Sequence, residues 1–183
     1  MRTDRLQREF GIELRWTVFP LHPETPEEGR ELSELFAGRE TQIEAMQARL
    51  RQLAAAEGLP LAARSRTYNS RRAQELGKWA EAQGRGELFR QAVYQAFFVE
   101  GRNIALPDEL ASIAESLGLS GVEARTVLAT GRWAAAVDAD WRRAEKLGVT
   151  AVPTHLCGGK RLVGFSAYDD FVSLVGRPAE GEP

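Results

Sequence analysis

Thiol chemistry is what the residues of this chain first suggest and first limit. Cys157 is the only cysteine among 183 residues, so no second thiol could release a mixed disulfide within the molecule. A lone cysteine on a strand reads as a small core hydrophobe, because a reactive thiol needs an electropositive, partly exposed setting. Lys160 and Arg161, just past the next turn, are the cations near enough in sequence to supply one. Four positions before the cysteine stands Val152-Pro153-Thr154. An X-Pro bond loses little in the cis form, so this proline is a candidate for a fixed tight turn.

Other chemistry finds little support. His22 and His155 are far apart and have no cysteine or carboxylate at metal-ligand spacing, so no metal site is expected. His155 reads as a packing residue. The pairs Glu27-Glu28 and Asp169-Asp170 read as solvated helix starts that suit the positive end of the macrodipole. No pair of carboxylates stands out as an acid and a base. Trp16, Trp79, Trp133 and Trp141 read as core or half-buried anchors.

The elements that must position the proline turn are legible from local pattern. Trp133, Val137, Trp141, Ala144 and Leu147 have helical spacing, and Gly148 closes that helix. After the proline, Thr154–Cys157, Gly158-Gly159 and Lys160–Val163 form a hairpin signal, and Tyr168, Phe171, Val172 and Val175 outline a closing helix. At the other end, residues 2–10 are helix-like, Gly11 stops them, and Ile12–Phe19 alternates as a strand does. Between these ends the chain reads as helical throughout. Ile43, Met46, Leu50 and Leu53 define one helix, Ala73, Leu76 and Ala80 follow an Asn69-Ser70 cap, and Phe89, Val93 and Phe97 form a third. Pro107 suits a first turn ahead of Leu110 and Ile113, and Ser120-Gly121-Val122-Glu123 is a capping box ahead of Val127.

The order helix, Gly148-Val149-Thr150-Ala151-Val152-Pro153-Thr154, hairpin, helix resembles the DsbA-like proteins of the thioredoxin superfamily, and among them the FrnE-like group. Further segments carry the same resemblance: Phe19-Pro20-Leu21-His22-Pro23-Glu24-Thr25-Pro26-Glu27-Glu28-Gly29, Asn69-Ser70, and Ala96-Phe97-Phe98-Val99-Glu100-Gly101-Arg102-Asn103-Ile104. It implies an α/β fold, a thioredoxin-like sheet with a large all-helical insertion. Residues 1–29 and 148–176 would form the thioredoxin-like part, 30–147 the insertion and connecting helices, and 177–183 a tail. It also implies that Val152, Pro153 and Thr154 bind substrate, the backbone beside a cis proline pairing with an extended peptide or a thiol. Glutathione is the co-substrate such a loop would accept, and no resident cofactor is expected.

In that family a first strand leads into Cys-Pro-X-Cys at the start of the first helix. The resemblance begins inside that helix, so the expectation is a chain truncated at its amino terminus, lacking the central strand and the catalytic pair. Backbone groups left buried without partners would cost on the order of 1–3 kcal/mol each, against a domain stability of about 5–15 kcal/mol. The exposed sheet edges are then expected to pair with another chain, a homo-oligomer included.

Composition bounds the rest. At 183 residues, 43% hydrophobic and 27% charged, the chain suits one well-buried core. A net charge of −2 gives no argument for nucleic acid or an anionic membrane as partner. With no apolar run of signal-peptide or membrane-spanning length, the expected compartment is the cytoplasm. The leading expectation is a DsbA-like, FrnE-like thiol–disulfide oxidoreductase family member without dithiol activity as it stands. The alternatives are a relative of glutathione-dependent isomerases or kappa-class glutathione transferases, and a non-enzymatic peptide-binding remnant. No residue is assigned as catalytic.

Overall fold

The computed structural model describes residues 2–176; Met1 and the expected tail 177–183 lie outside the described residues. The chain divides into two compact units, one of residues 1–21 and 140–183, the other of residues 22–139.

In the first unit, helix α1 (Arg2–Phe10) ends at Gly11, whose N–H donates to Gln7 O. Leu6 is the buried residue of α1. This helix packs on the last helix of the unit through polar and aromatic contacts. Arg5 stacks over the Tyr168 ring at 3.9 Å, the Tyr168 hydroxyl donates to Glu9 at 2.6 Å, and Arg2 Nη1 donates to Ser166 O at 2.7 Å. Phe171 and Leu174 bury the apolar side of that helix.

The second unit contains most of the core. It begins with a turn containing Glu27 and Glu28 and then a two-residue ribbon, β1 (Arg30–Glu31), followed by α2 (Leu32–Leu35) and α3 (Glu40–Ala56). Helix α3 forms where Ile43, Met46, Leu50 and Leu53 predict it, yet none of its residues is buried. Strand β2 (Arg66–Thr67) pairs antiparallel with β1. Four further helices follow: α4 (Arg71–Ala82), α5 (Gly86–Tyr94), α6 (Pro107–Ser116) and α7 (Gly121–Thr130), with a π-helical turn over Gln95–Val99. Leu76, Trp79, Phe89, Leu110, Ile113 and Val127 from these helices form one buried cluster. Ser120 caps α7 by accepting from the Glu123 N–H. The Glu123 carboxylate accepts the indole N–H of Trp79 at 3.3 Å.

Helix α8 (Ala134–Lys146) runs from the second unit into the first. There, strands β3 (Thr154–Cys157) and β4 (Lys160–Val163) form the predicted hairpin, with Thr154 opposite Val163 and Cys157 opposite Lys160. Helix α9 (Tyr168–Val175) closes the unit, and Asp170 accepts from the Ala167 N–H at its start.

Three expectations need correction. Ile12–Phe19 is not a strand: no described strand lies alongside to complete a ladder. Trp16, read as a core or half-buried anchor, is instead 44% exposed. Glu27 and Glu28 occupy a turn, not a helix start, and the Glu27 carboxylate faces Arg72 at 2.5 Å. Strand structure among the described residues is two separate two-stranded ribbons.

Candidate functional site

The Val152-Pro153-Thr154 turn is built from its flanks inward. Helix α8 stops because Gly148 adopts φ +61°, a conformation that a side chain disfavours. The Val149 N–H then reaches back to Ala144 O and the Gly148 N–H to Glu145 O, which satisfies two terminal carbonyls in a Schellman arrangement. The carbonyls of Leu147 and Gly148 are met from the hairpin: the Arg161 guanidinium donates to Gly148 O at 2.9 Å and to Leu147 O. A cation at a helix C-terminus also complements the macrodipole. Arg161 thereby ties β4 to the end of α8, with the turn held between them.

Inside this clamp the Val152–Pro153 peptide bond is cis. The Gly164 N–H donates to Pro153 O at 2.8 Å, and Thr154 Oγ1 donates to Ala151 O at 2.6 Å. Ala151, Val152 and Pro153 are exposed, Val152 by 46%. The structure brings Val152, Pro153 and Thr154 together as one exposed, backbone-anchored turn at the start of β3.

Cys157 lies at the other end of β3. It is three steps along the strand from Thr154, roughly 10 Å at the usual rise. It is partly buried. The cations that could have activated it are engaged elsewhere, Arg161 on the end of α8 and Lys160 Nζ on Ser173 O at 3.2 Å. His155 alternates onto the same side of β3 as Cys157 and packs edge-on against Phe171, ring centroids 4.7 Å apart. Its Nδ1 has no hydrogen-bond partner among the described residues. Burial holds its pKa below the usual 6.5. His22 belongs to the other unit, where it stands 3.7 Å from Glu24.

A second polar cluster, in the helical unit, was only half legible. Asn69 Nδ2 donates to Pro23 O and Thr25 O, while its Oδ1 accepts from the Arg71 N–H at the start of α4. Arg71 bridges Glu75 and Asp138, and Arg72 bridges Glu27 and Ala105 O. Glu27, Asn69, Arg71, Arg72 and Ala105 line a cavity of about 240 Å³. The Asn69-Ser70 cap is readable from sequence, but the arginines are not singled out by it. Their signal is position: two cations in the first turn of a helix oppose the macrodipole and so call for carboxylates nearby.

The helical unit and the turn-bearing hairpin define a DsbA-like protein class. The chain belongs to the family of DSBA-like thioredoxin domains, which it matches over residues 1–176. Its structure superposes on a probable DsbA oxidoreductase of Streptomyces coelicolor with a TM-score of 0.84, at 28% identity over 94% of this chain and 79% of the other. It shares its fold with a 2-hydroxychromene-2-carboxylate isomerase, TM-score 0.73, at 21% identity over 94% of this chain and 83% of that one. In sequence it is 32% identical over 98 residues to the uncharacterized protein YwbO of Bacillus subtilis, a match covering 53% of this chain and 49% of YwbO. The matched region thus spans about half the length of that curated relative.

Proposed function

We propose that this chain is a thiol–disulfide oxidoreductase family protein that receives an extended peptide or thiol at Val152, Pro153 and Thr154, and that the 183-residue polypeptide does not itself carry out dithiol exchange. The single observation that carries the reading is the separation of parts. An exposed, backbone-anchored turn stands at one end of β3, and the only cysteine stands partly buried at the other, with its nearby cations engaged elsewhere. An extended ligand beside the turn would take backbone hydrogen bonds from the open side of β3, which needs little side-chain selection. A thiolate at Cys157 could form a mixed disulfide but could not be displaced from it by a second thiol of the same chain. Glutathione is the thiol proposed to occupy the turn. The cytoplasm is the proposed compartment, a lone free cysteine being ordinary in reducing surroundings.

The purified chain, assayed on insulin disulfides with and without glutathione, is expected to match a thiol control, and Cys157→Ser to leave the rate unchanged. Calorimetric titration of glutathione and of a reduced, unfolded peptide is expected to give binding that Val152→Asp weakens. Turnover that depends on Cys157 would overturn the reading, as would the absence of any binding at the turn.

A further inference from the structure

Arg64 stands on a segment pinned from both sides. Before it, the Ala62 N–H donates to Phe98 O at 2.9 Å and the Tyr94 hydroxyl donates to Pro60 O at 3.1 Å. After it, Ser65 O accepts from the Leu32 N–H at 2.6 Å, and Arg66–Thr67 is strand β2. The Arg64 guanidinium lies over two rings, 4.8 Å from the centroid of Phe97 and 5.4 Å from that of Phe98. Consecutive side chains of a regular α-helix point apart. Phe97 and Phe98 belong to the π-helical turn Gln95–Val99, a kind of irregularity found often at functional sites, and both rings reach the same cation.

The charge of Arg64 is stacked but not neutralised. Its Nη1 donates to Arg66 O at 3.3 Å, and its other N–H groups meet no acceptor among the described residues. Arg66, two positions on, has Glu31 at 3.1 Å, whereas no described carboxylate is within ion-pair distance of Arg64. Burial draws the Arg64 pKa below its ordinary value, while that of Arg125, hydrogen-bonded to Asp108, moves upward. A cation taken partly out of water calls for a counter-charge, and ring faces supply only part of one. The rings also fix the plane of the guanidinium, so its donor edge is oriented in advance for the two parallel bonds that a planar carboxylate accepts. Tyr94, Phe97 and Phe98 are half-buried beside it and offer apolar surface to whatever carries that carboxylate.

We propose that Arg64, seated on Phe97 and Phe98, binds a carboxylate carried on an apolar body, either a small organic acid or the C-terminus of a peptide. Every residue of this site belongs to the helical unit, so its occupancy can be measured separately from binding at the proline turn.

The Nε–H resonance of Arg64 in a proton–nitrogen correlation spectrum of the full chain, followed at fixed ionic strength, reads occupancy. Hexanoate is expected to shift it saturably with a dissociation constant of about 1–10 mM, and acetate, which lacks the apolar body, to bind at least about threefold more weakly. Arg64→Lys keeps a cation over the rings without the planar fork, and Arg64→Gln removes the charge. Followed through the Phe97 and Phe98 ring signals, both variants are expected to bind hexanoate at least about fivefold more weakly. An acetylated peptide ending in leucine, with its C-terminus free or amidated, separates the two sources. Binding of the free form tighter than hexanoate assigns the site to a chain terminus, and weaker binding assigns it to a small acid. The absence of a saturable shift with hexanoate and the free peptide alike would overturn the proposal. So would unchanged affinity in Arg64→Lys, or inorganic phosphate or the amidated peptide binding as tightly as hexanoate.

Discussion

At Asn69 one amide joins segments far apart in sequence, holding the carbonyls of Pro23 and Thr25 while its own oxygen receives the first N–H of α4. A cap of this kind satisfies an orphan donor and fixes a loop with the same side chain. His155 shows the opposite economy. It fills space beside Phe171 and leaves Nδ1 without a partner among the described residues, so its charged form is disfavoured. Because its pKa is depressed on folding, the unfolded chain takes up the proton first. The stabilising contribution is whole above about pH 6.5 and is lost as the pH falls through the lower, folded value. Urea unfolding from about pH 7 to about pH 5 should therefore show a declining midpoint, and His155→Leu should make that decline shallower than in the wild type. An unchanged slope would mean that the imidazole is solvated.

At the scale of elements, local signals and local bonds agree best where a helix carries its own start and stop. Ser120 accepts from the Glu123 N–H and Gly148 ends α8 as their positions predict. Helix α7 then ties into the core through Glu123, which receives the buried Trp79 indole instead of completing a reciprocal cap. Ser120→Ala should lower unfolding stability by about 0.5–2 kcal/mol, the usual loss for a cap hydroxyl. Glu123→Gln keeps an acceptor for Trp79 and should cost less than Glu123→Ala in the same denaturant titration. The reverse ranking would show that the carboxylate acts through charge at the helix start and not through the indole. The strand reading of Ile12–Phe19 fails at this scale, because alternation makes a segment fit for a ladder but cannot provide the neighbour.

Over the whole molecule, apolar burial is unevenly divided. Trp79, Phe89, Leu76, Leu110 and Val127, all in the helical unit, are among the largest fully buried side chains. The unit bearing the proline turn buries Leu6, Ala144, Phe171 and Leu174, and it exposes Trp16, Val152, Leu156, Val163 and Phe165. Opening free energies follow buried apolar contact. Amides of α4, α6 and α7 are expected to exchange with deuterium only on global unfolding, and those of β3 and β4 to exchange through cheaper local opening. Native-state hydrogen exchange across a denaturant series reads both. Equal protection in the two units would show that the hairpin draws stability from contacts other than apolar burial. A binding turn carried on the more easily opened unit has room to adjust to an extended ligand.

The sequence by itself determined the features that depend on neighbours a few residues away. These are the helices with their caps, the Gly-Gly hairpin, the position of the proline turn and the isolation of Cys157 as a single thiol. Periodicity, capping chemistry and turn residues act within one or two turns of chain, so they are written locally. Tertiary structure alone decided which patterns found partners. Among the described residues it gave Ile12–Phe19 no strand ladder and α3 no buried residue, and it gave Arg161 to the end of α8 instead of to the thiol. It also gathered Glu27, Asn69, Arg71 and Arg72 around one cavity. Those outcomes depend on which segment lies opposite, and hydrophobic burial and hydrogen-bond pairing are settled between residues that the sequence holds far apart.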